Sequence, residues 1–163
     1  MSILIPIVIV ASALGASLAL LRGNRRRCFA NSLASTHKGS LTRLTDAAIS
    51  ARGLLGTTGS DAAHVAVCGA SNVPLGVIAD EASAAGEEVA VQLLGSSAST
   101  LVMAAAGAIA AGAPVYTAAS GRVSALSASA GTYYCVGTAL TAASAAGDAI
   151  EVDPSSPQKT VVA

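Results

Sequence analysis

The chain has 163 residues, 53% of them hydrophobic and 11% charged, with one Phe, three Tyr and no Trp. That length suits one core and excludes two comfortable ones, so a single domain with an N-terminal appendage is expected. Net charge is zero but unevenly spread: residues 1–52 hold seven Lys and Arg against Asp46 alone, and residues 53–163 hold Arg122 and Lys159 against eight acids, so the two portions are expected to face different surroundings.

The apolar content is mostly Ala, Val, Leu and Ile, which favours thin, tightly packed layers. Small side chains offer little area at about 25 cal/mol per Å² to offset an ordering cost of roughly 1 to 2 kcal/mol per residue. Association with further copies, or with a larger surface, would supply the missing burial.

From Ile3 to Leu21 the chain runs nineteen residues without a charge, within the lower range for a membrane-spanning helix. Its positive charge follows the apolar run instead of preceding it, which disfavours a cleaved signal peptide and suits a single-span anchor with its C-terminal side in the cytoplasm. Pro6 interrupts the first turns, and the stretch Ile3, Leu4, Ile5, Ile7, Val8, Ile9 and Val10 is rich enough in β-branched residues to form a strand. Ala11 to Leu21, with Leu14 and Leu18, reads as helix. The segment is read as a membrane helix, an arm buried in an assembly, or an extension absent from the mature product.

Arg22, Arg25, Arg26 and Arg27 follow. Four arginines in six residues suit phosphate contact, a stop-transfer flank, or a solvated linker. Only Phe29 is near enough to stack on a base, so nucleic acid is not the expected partner. The organisation expected is an apolar segment plus basic linker over 1–30, a β-rich domain over 31–155 and a C-terminal tail over 156–163.

After Asn31, short apolar runs alternate with Gly, Ser, Asn and Asp, the signature of strands joined by turns. Strands are expected near 40–45, 50–57, 63–69, 74–80, 87–94, 99–105, 113–117, 121–125, 132–141 and 147–153. The fold class is all-β, a small β-sandwich or barrel with a separate N-terminal apolar helix or arm. Val65 and Val67, and Val89 and Val91, alternate as a half-buried strand requires, and Val115 and Val123 flank an expected hairpin. The Ala-rich stretch Ala104 to Ala111 allows one short helix or turn, limited by Gly107 and Gly112.

An internal echo links Gly76–Val91 to Gly137–Val152 at one constant offset, without a gap in either copy. Both read as strand, small-residue turn, Ala-Gly-acid, strand. Ala111 to Tyr116 is a partial third copy. Two full copies are too few for a solenoid, so they are expected as equivalent hairpin arms of one sandwich or barrel.

The serial order of these segments resembles a known family. Pro74-Leu75-Gly76-Val77-Ile78-Ala79, then Ala85-Gly86-Glu87-Glu88-Val89-Ala90-Val91, then Ile109-Ala110-Ala111-Gly112-Ala113-Pro114-Val115-Tyr116, and at the close Val136-Gly137-Thr138-Ala139, look like the capsid cement (decoration) proteins of tailed bacteriophages and prophages over about residues 40–153. The resemblance implies a compact, non-enzymatic β-fold on the surface of an icosahedral shell, partnered by the major capsid protein and commonly a homotrimer at local threefold positions. The apolar run Ile3–Leu21 departs from that family. It leaves open an alternative, a bacterial inner-membrane protein whose single span carries a soluble β-domain.

The residues signal no catalytic constellation. His37 and His64 are far apart, and no nucleophile elbow, His-Glu-x-x-His helix or phosphate-cradling loop is present. Cys28, Cys68 and Cys135 have no CxxC spacing and read as small buried hydrophobes. His64 and Cys68 share a strand face but make a poor metal pair without further ligands. Neighbours in a strand point to opposite faces, so Asp80-Glu81 and Glu87-Glu88 read as solvated turn charges. A lipoyl-type carrier would need a lysine at a hairpin tip, and Lys38 and Lys159 are not so placed. Neither a cofactor nor a metal is expected.

Overall fold

The computed structural model describes residues 39–163. The helix or arm expected over residues 1–30 lies outside the described residues, as do Ile3, Leu4, Ile5, Ile7, Val8, Ile9, Val10, Leu14, Leu18, Arg22, Arg25, Arg26 and Arg27.

Ten strands follow one another: β1 (Ser40–Thr45), β2 (Leu54–Thr58), β3 (His64–Val67), β4 (Gly76–Ile78), β5 (Glu88–Leu93), β6 (Leu101–Ala104), β7 (Pro114–Thr117), β8 (Val123–Ser124), β9 (Gly131–Ala139) and β10 (Ala149–Val162). Each overlaps one of the ten expected segments, and β10 runs well past the end of its own. The expected hairpin around Val115 and Val123 is β7–β8, turned by the 3-10 segment Ala119–Gly121, where Ser120 takes a left-handed φ of 58°. The Ala-rich stretch after β6 forms bends and isolated bridges through Ala105 and Ile109, with no helix.

The first five strands close a barrel in the order β1-β3-β2-β4-β5. The last five form a sheet in the order β6-β10-β9-β7-β8. A parallel bridge from Ala105 to Val123 joins the two ends of that second sheet, where in the barrel β1 and β3 run parallel through Thr45 and Val65.

The two sheets repeat one plan. Leu44 faces Glu88 and Leu41 faces Val91 between β1 and β5; Ala104 faces Ala149 and Leu101 faces Val152 between β6 and β10. Ile78 faces Val91 in β4–β5, and Ala139 faces Val152 in β9–β10. The turn before the last strand is also repeated: Ile49 bridges Ala82, and Ile109 bridges Ala143. Gly86 donates its N–H to the Thr45 carbonyl at 2.7 Å, and Gly147 donates to the Ala105 carbonyl at 2.8 Å.

This corrects the expected architecture. The echo segments are not two arms of one sandwich or barrel: β4–β5 closes the first unit and β9–β10 belongs to the second. The partial third copy, Ala111 to Tyr116, leads into β7 and answers Arg52 to Thr57, which leads into β2. Gly53 donates its N–H to Ile78 at 2.9 Å, and Gly112 donates to Ala139 at 2.7 Å. These two glycines open their strands with φ of 75° and 80°, a conformation that glycine adopts without strain.

Each unit has its own apolar centre. Ile49, Leu54, Val65, Ile78, Ala82, Val89 and Val91 fill the barrel. A larger cluster joins Met103, Val115, Val123, Val136, Ile150 and Val152 of the second sheet to Leu55, Cys68, Val77 and Leu94 of the barrel. Backbone bonds lock the junction: Ala104 N–H donates to Gly53 at 2.9 Å and Gly121 N–H donates to Cys68 at 2.7 Å.

Candidate functional site

Several acidic side chains of the body brace turns. Ser83 donates from its N–H (3.0 Å) and hydroxyl (2.6 Å) to the Glu87 carboxylate. In the repeated turn the Ser144 N–H (2.8 Å), Ser144 hydroxyl (2.9 Å) and Ala145 N–H (2.9 Å) all donate to Asp148. The Ser83 hydroxyl and N–H hold Glu87 below its ordinary pKa, and the backbone N–H groups of Ala145 and Ser144 do the same for Asp148. Asp80 accepts the Ala90 N–H at 2.8 Å, and Glu81 meets Arg52 at 3.7 Å. That exposed ion pair contributes little to stability.

His64 and Cys68 have separate partners. His64 Nδ1 lies 2.6 Å from the Asp61 carboxylate, and this contact holds Asp61 below the usual carboxylate range. Cys68 is buried, its thiol donating to the Gly69 and Asn72 carbonyls, and burial pushes its pKa up to about 11. Cys135 is half-buried on β9, and Cys28 lies outside the described residues. Among the described residues no group of three His, Cys, Asp or Glu side chains could hold a metal ion.

The surface is more informative than the interior. A shallow cleft of about 180 Å³ lies where the units meet, lined by Arg52 and Arg122 together with Leu54, Val102 and Met103. These are two of only four Lys and Arg residues in 39–163, a stretch that holds all nine acids of the chain.

The second unit also carries something the barrel lacks. β10 continues past its last pair with β6, Val152 opposite Leu101, and β9 begins before its first pair with β7, Cys135 opposite Tyr116. Gly131–Tyr134 and Lys159–Val162 therefore pair only with each other, as a two-stranded ribbon. Tyr133 and Tyr134 are half-buried on it, and Val161, 66% exposed, is the most exposed large hydrophobic residue described. The ribbon's second strand occupies residues that the sequence suggested were a tail. Pro154 and Pro157 cannot donate to a ladder, and both sit where the register shifts. Thr132-Tyr133-Tyr134 and Thr160-Val161-Val162 are strand formers that were available as a signal.

Comparison with known proteins agrees with this geometry. Residues 36–154 match the phage cement protein family. No curated protein matches. Among solved structures, the crystal structure of the head fiber gp8.5 N base of bacteriophage phi29 is similar at a TM-score of 0.55 and 18% identity, covering 73% of this chain and 95% of that one, which speaks for the fold. The family match takes in both five-stranded units up to Pro154, leaving residues 1–35 and 155–163 outside it. The chain therefore belongs to the phage cement protein family, and is a non-enzymatic structural protein of the virion that decorates the capsid.

Proposed function

We propose that the protein acts on the major capsid protein as a homotrimer, covering seams between shell subunits and raising the barrier to shell disruption through burial instead of chemistry. The observation that carries this reading is the make-up of the two cores. Their largest fully buried side chains are Leu55, Ile78, Met103 and Ile150, and no aromatic residue is among those buried. Units of this size with such side chains are marginal alone and gain from association.

In this reading residues 31–155 are the decorating domain, with the acidic body facing outward. Arg22, Arg25, Arg26 and Arg27 supply the complementary charge between bodies in the assembled state. Nucleic acid has no part in it. The uncharged run Ile3–Leu21 is the one observation favouring a second reading, a single-span membrane anchor.

Sedimentation equilibrium of the full chain, without detergent, is expected to give the mass of three copies of the 15.7 kDa polypeptide. Adding the protein to particles that lack it should raise the temperature at which they release their contents. A monomer that leaves the release temperature unchanged contradicts the proposal, and a chain recovered only with detergent supports the anchor.

A further inference from the structure

We propose that the protein docks on the shell through the cleft between its two units, where Arg52 and Arg122 close on a carboxylate of the major capsid protein. The inference rests on the decoration reading and deepens it by naming the surface that meets the shell.

The cleft gathers half the cations of residues 39–163. Arg52 and Arg122 line it, while Arg43 on β1 and Lys159 on β10 are the only others in a stretch with nine acids. An anionic group approaching this acidic body is steered to that spot.

Neither arginine is consumed by the fold. Arg52 lies 3.7 Å from Glu81, too long for a hydrogen bond, and both side chains are exposed. Arg122 is exposed, and its side chain has no hydrogen-bond or ion-pair partner among the described residues. The shared strand plan does not call for arginine at either place: Ala111 stands at the station of Arg52, and His64 at that of Arg122.

The backbone beneath them is fixed. Gly53, next to Arg52, accepts the Ala104 N–H at 2.9 Å, and Gly121, next to Arg122, donates to the Cys68 carbonyl at 2.7 Å. A Cβ on Gly53 would meet the Val102 carbonyl oxygen at 3.1 Å, and one on Gly121 would meet that of Leu55 at 2.9 Å. Both arginines thus start from positions set across the junction, which lowers the ordering cost of binding. Ser120, also lining the cleft, is the only non-glycine residue with a left-handed φ among the described residues, and its hydroxyl has no partner there. Backbone strain of this kind collects where a ligand is gripped.

The lining selects the partner. Leu54 and Met103 supply buried apolar surface, and Val102 stands beside them 58% exposed. An apolar centre edged by arginine is the make-up of a protein–protein contact, and guanidinium forks match a planar carboxylate. Membership of a capsid-decorating family makes the shell the partner, and carboxylate is the anionic side-chain group that a protein shell presents.

The test measures binding of the full chain to purified particles that lack it, by co-sedimentation over a concentration series. Arg52→Gln with Arg122→Gln should weaken binding roughly 30-fold. Arg43→Gln with Lys159→Gln, which removes the same charge elsewhere, should leave it unchanged. Equal affinities for parent and cleft variant, or equal weakening in the two variants, overturn the inference. As a second measurement, Arg122→Lys keeps the charge and offers an amine, which a carbodiimide on decorated particles should join to an Asp or Glu of the major capsid protein. Mass spectrometry that finds position 122 linked only within or between copies of this chain also overturns it. A parent chain that does not bind the particles would defeat the decoration reading itself, whereas parent and variants that bind alike defeat the cleft alone.

Discussion

The barrel and the second sheet were built on one strand plan, and the places where they still agree differ in kind from those where they part. Gly76 and Gly137 occupy the same station, each crossing the last strand of its unit so closely that an added Cβ would run into a backbone carbonyl, that of Gln92 in one and Asp153 in the other. The serine–acid turn agrees as well, Ser83 with Glu87 and Ser144 with Asp148. Agreement thus falls where backbone geometry admits few side chains. Divergence falls where side chains fill space and where strands end. Gly56 lies tight under Val65 and Ile78 in the barrel, whereas β7 has Val115 opposite Gly137 at that station, and β5 stops at Leu93 while β10 runs on to Val162. The barrel ends compactly at β5, and the second unit carries a projecting ribbon.

The largest effect that would break this comparison is at the paired glycines. Gly76→Ala and Gly137→Ala should each cost about 3 kcal/mol, lowering Tm by roughly 6–12 °C in a chain of this size. Calorimetry of the two variants checks this, and tolerance of one beside collapse of the other would dissolve the equivalence. Val91 and Val152, both fully buried at matching positions, sharpen it further. Truncation of either to Ala should cost about 2 kcal/mol, and denaturant melts should place the two within about 1 kcal/mol of each other.

A smaller effect is expected from acid. In the folded state Glu87 and Asp148 are held below their ordinary values of 4.5 and 3.8, so unfolding takes up protons as the solution is acidified. Their contribution is complete above those ordinary values and is lost as pH falls through the lower folded-state values. Thermal melts of Glu87→Gln and Asp148→Asn should therefore sit slightly below the parent at pH 7 and converge with it in strong acid. The smallest effect is on no stability at all: iodoacetamide should label half-buried Cys135 in the native protein and reach Cys68, whose thiol is pushed up to about 11 by burial, only after unfolding.

Much of this fold was legible because turns are local. Gly, Ser, Asn and Asp punctuate the ten strands, and the turn between β4 and β5 is as long as that between β9 and β10, so their echo keeps one offset throughout. The duplication of whole units was not legible, because the repeat drifts. Leu41 answers Leu101, Thr58 answers Thr117 and Val65 answers Val123, each pair closer in sequence than the one before, because fewer residues separate one matching station from the next in the second unit. The stretch from Val123 to Gly137, longer than that from Val65 to Gly76, then more than restores the separation. Side chains at matching stations also differ freely where only apolar volume matters, as with Ile78 and Ala139. The second strand of the ribbon was not legible for another reason: a proline lacks the N–H a ladder needs, and only the tertiary arrangement shows that Pro154 and Pro157 sit where the register shifts.

The measurement that bears most directly on the decoration account is quantitative mass spectrometry of gradient-purified particles, reading the ratio of this protein to the major capsid protein and its observed N-terminus. The account predicts a fixed ratio at one or a simple fraction of it. Absence from particles, with recovery in the membrane fraction, would contradict it.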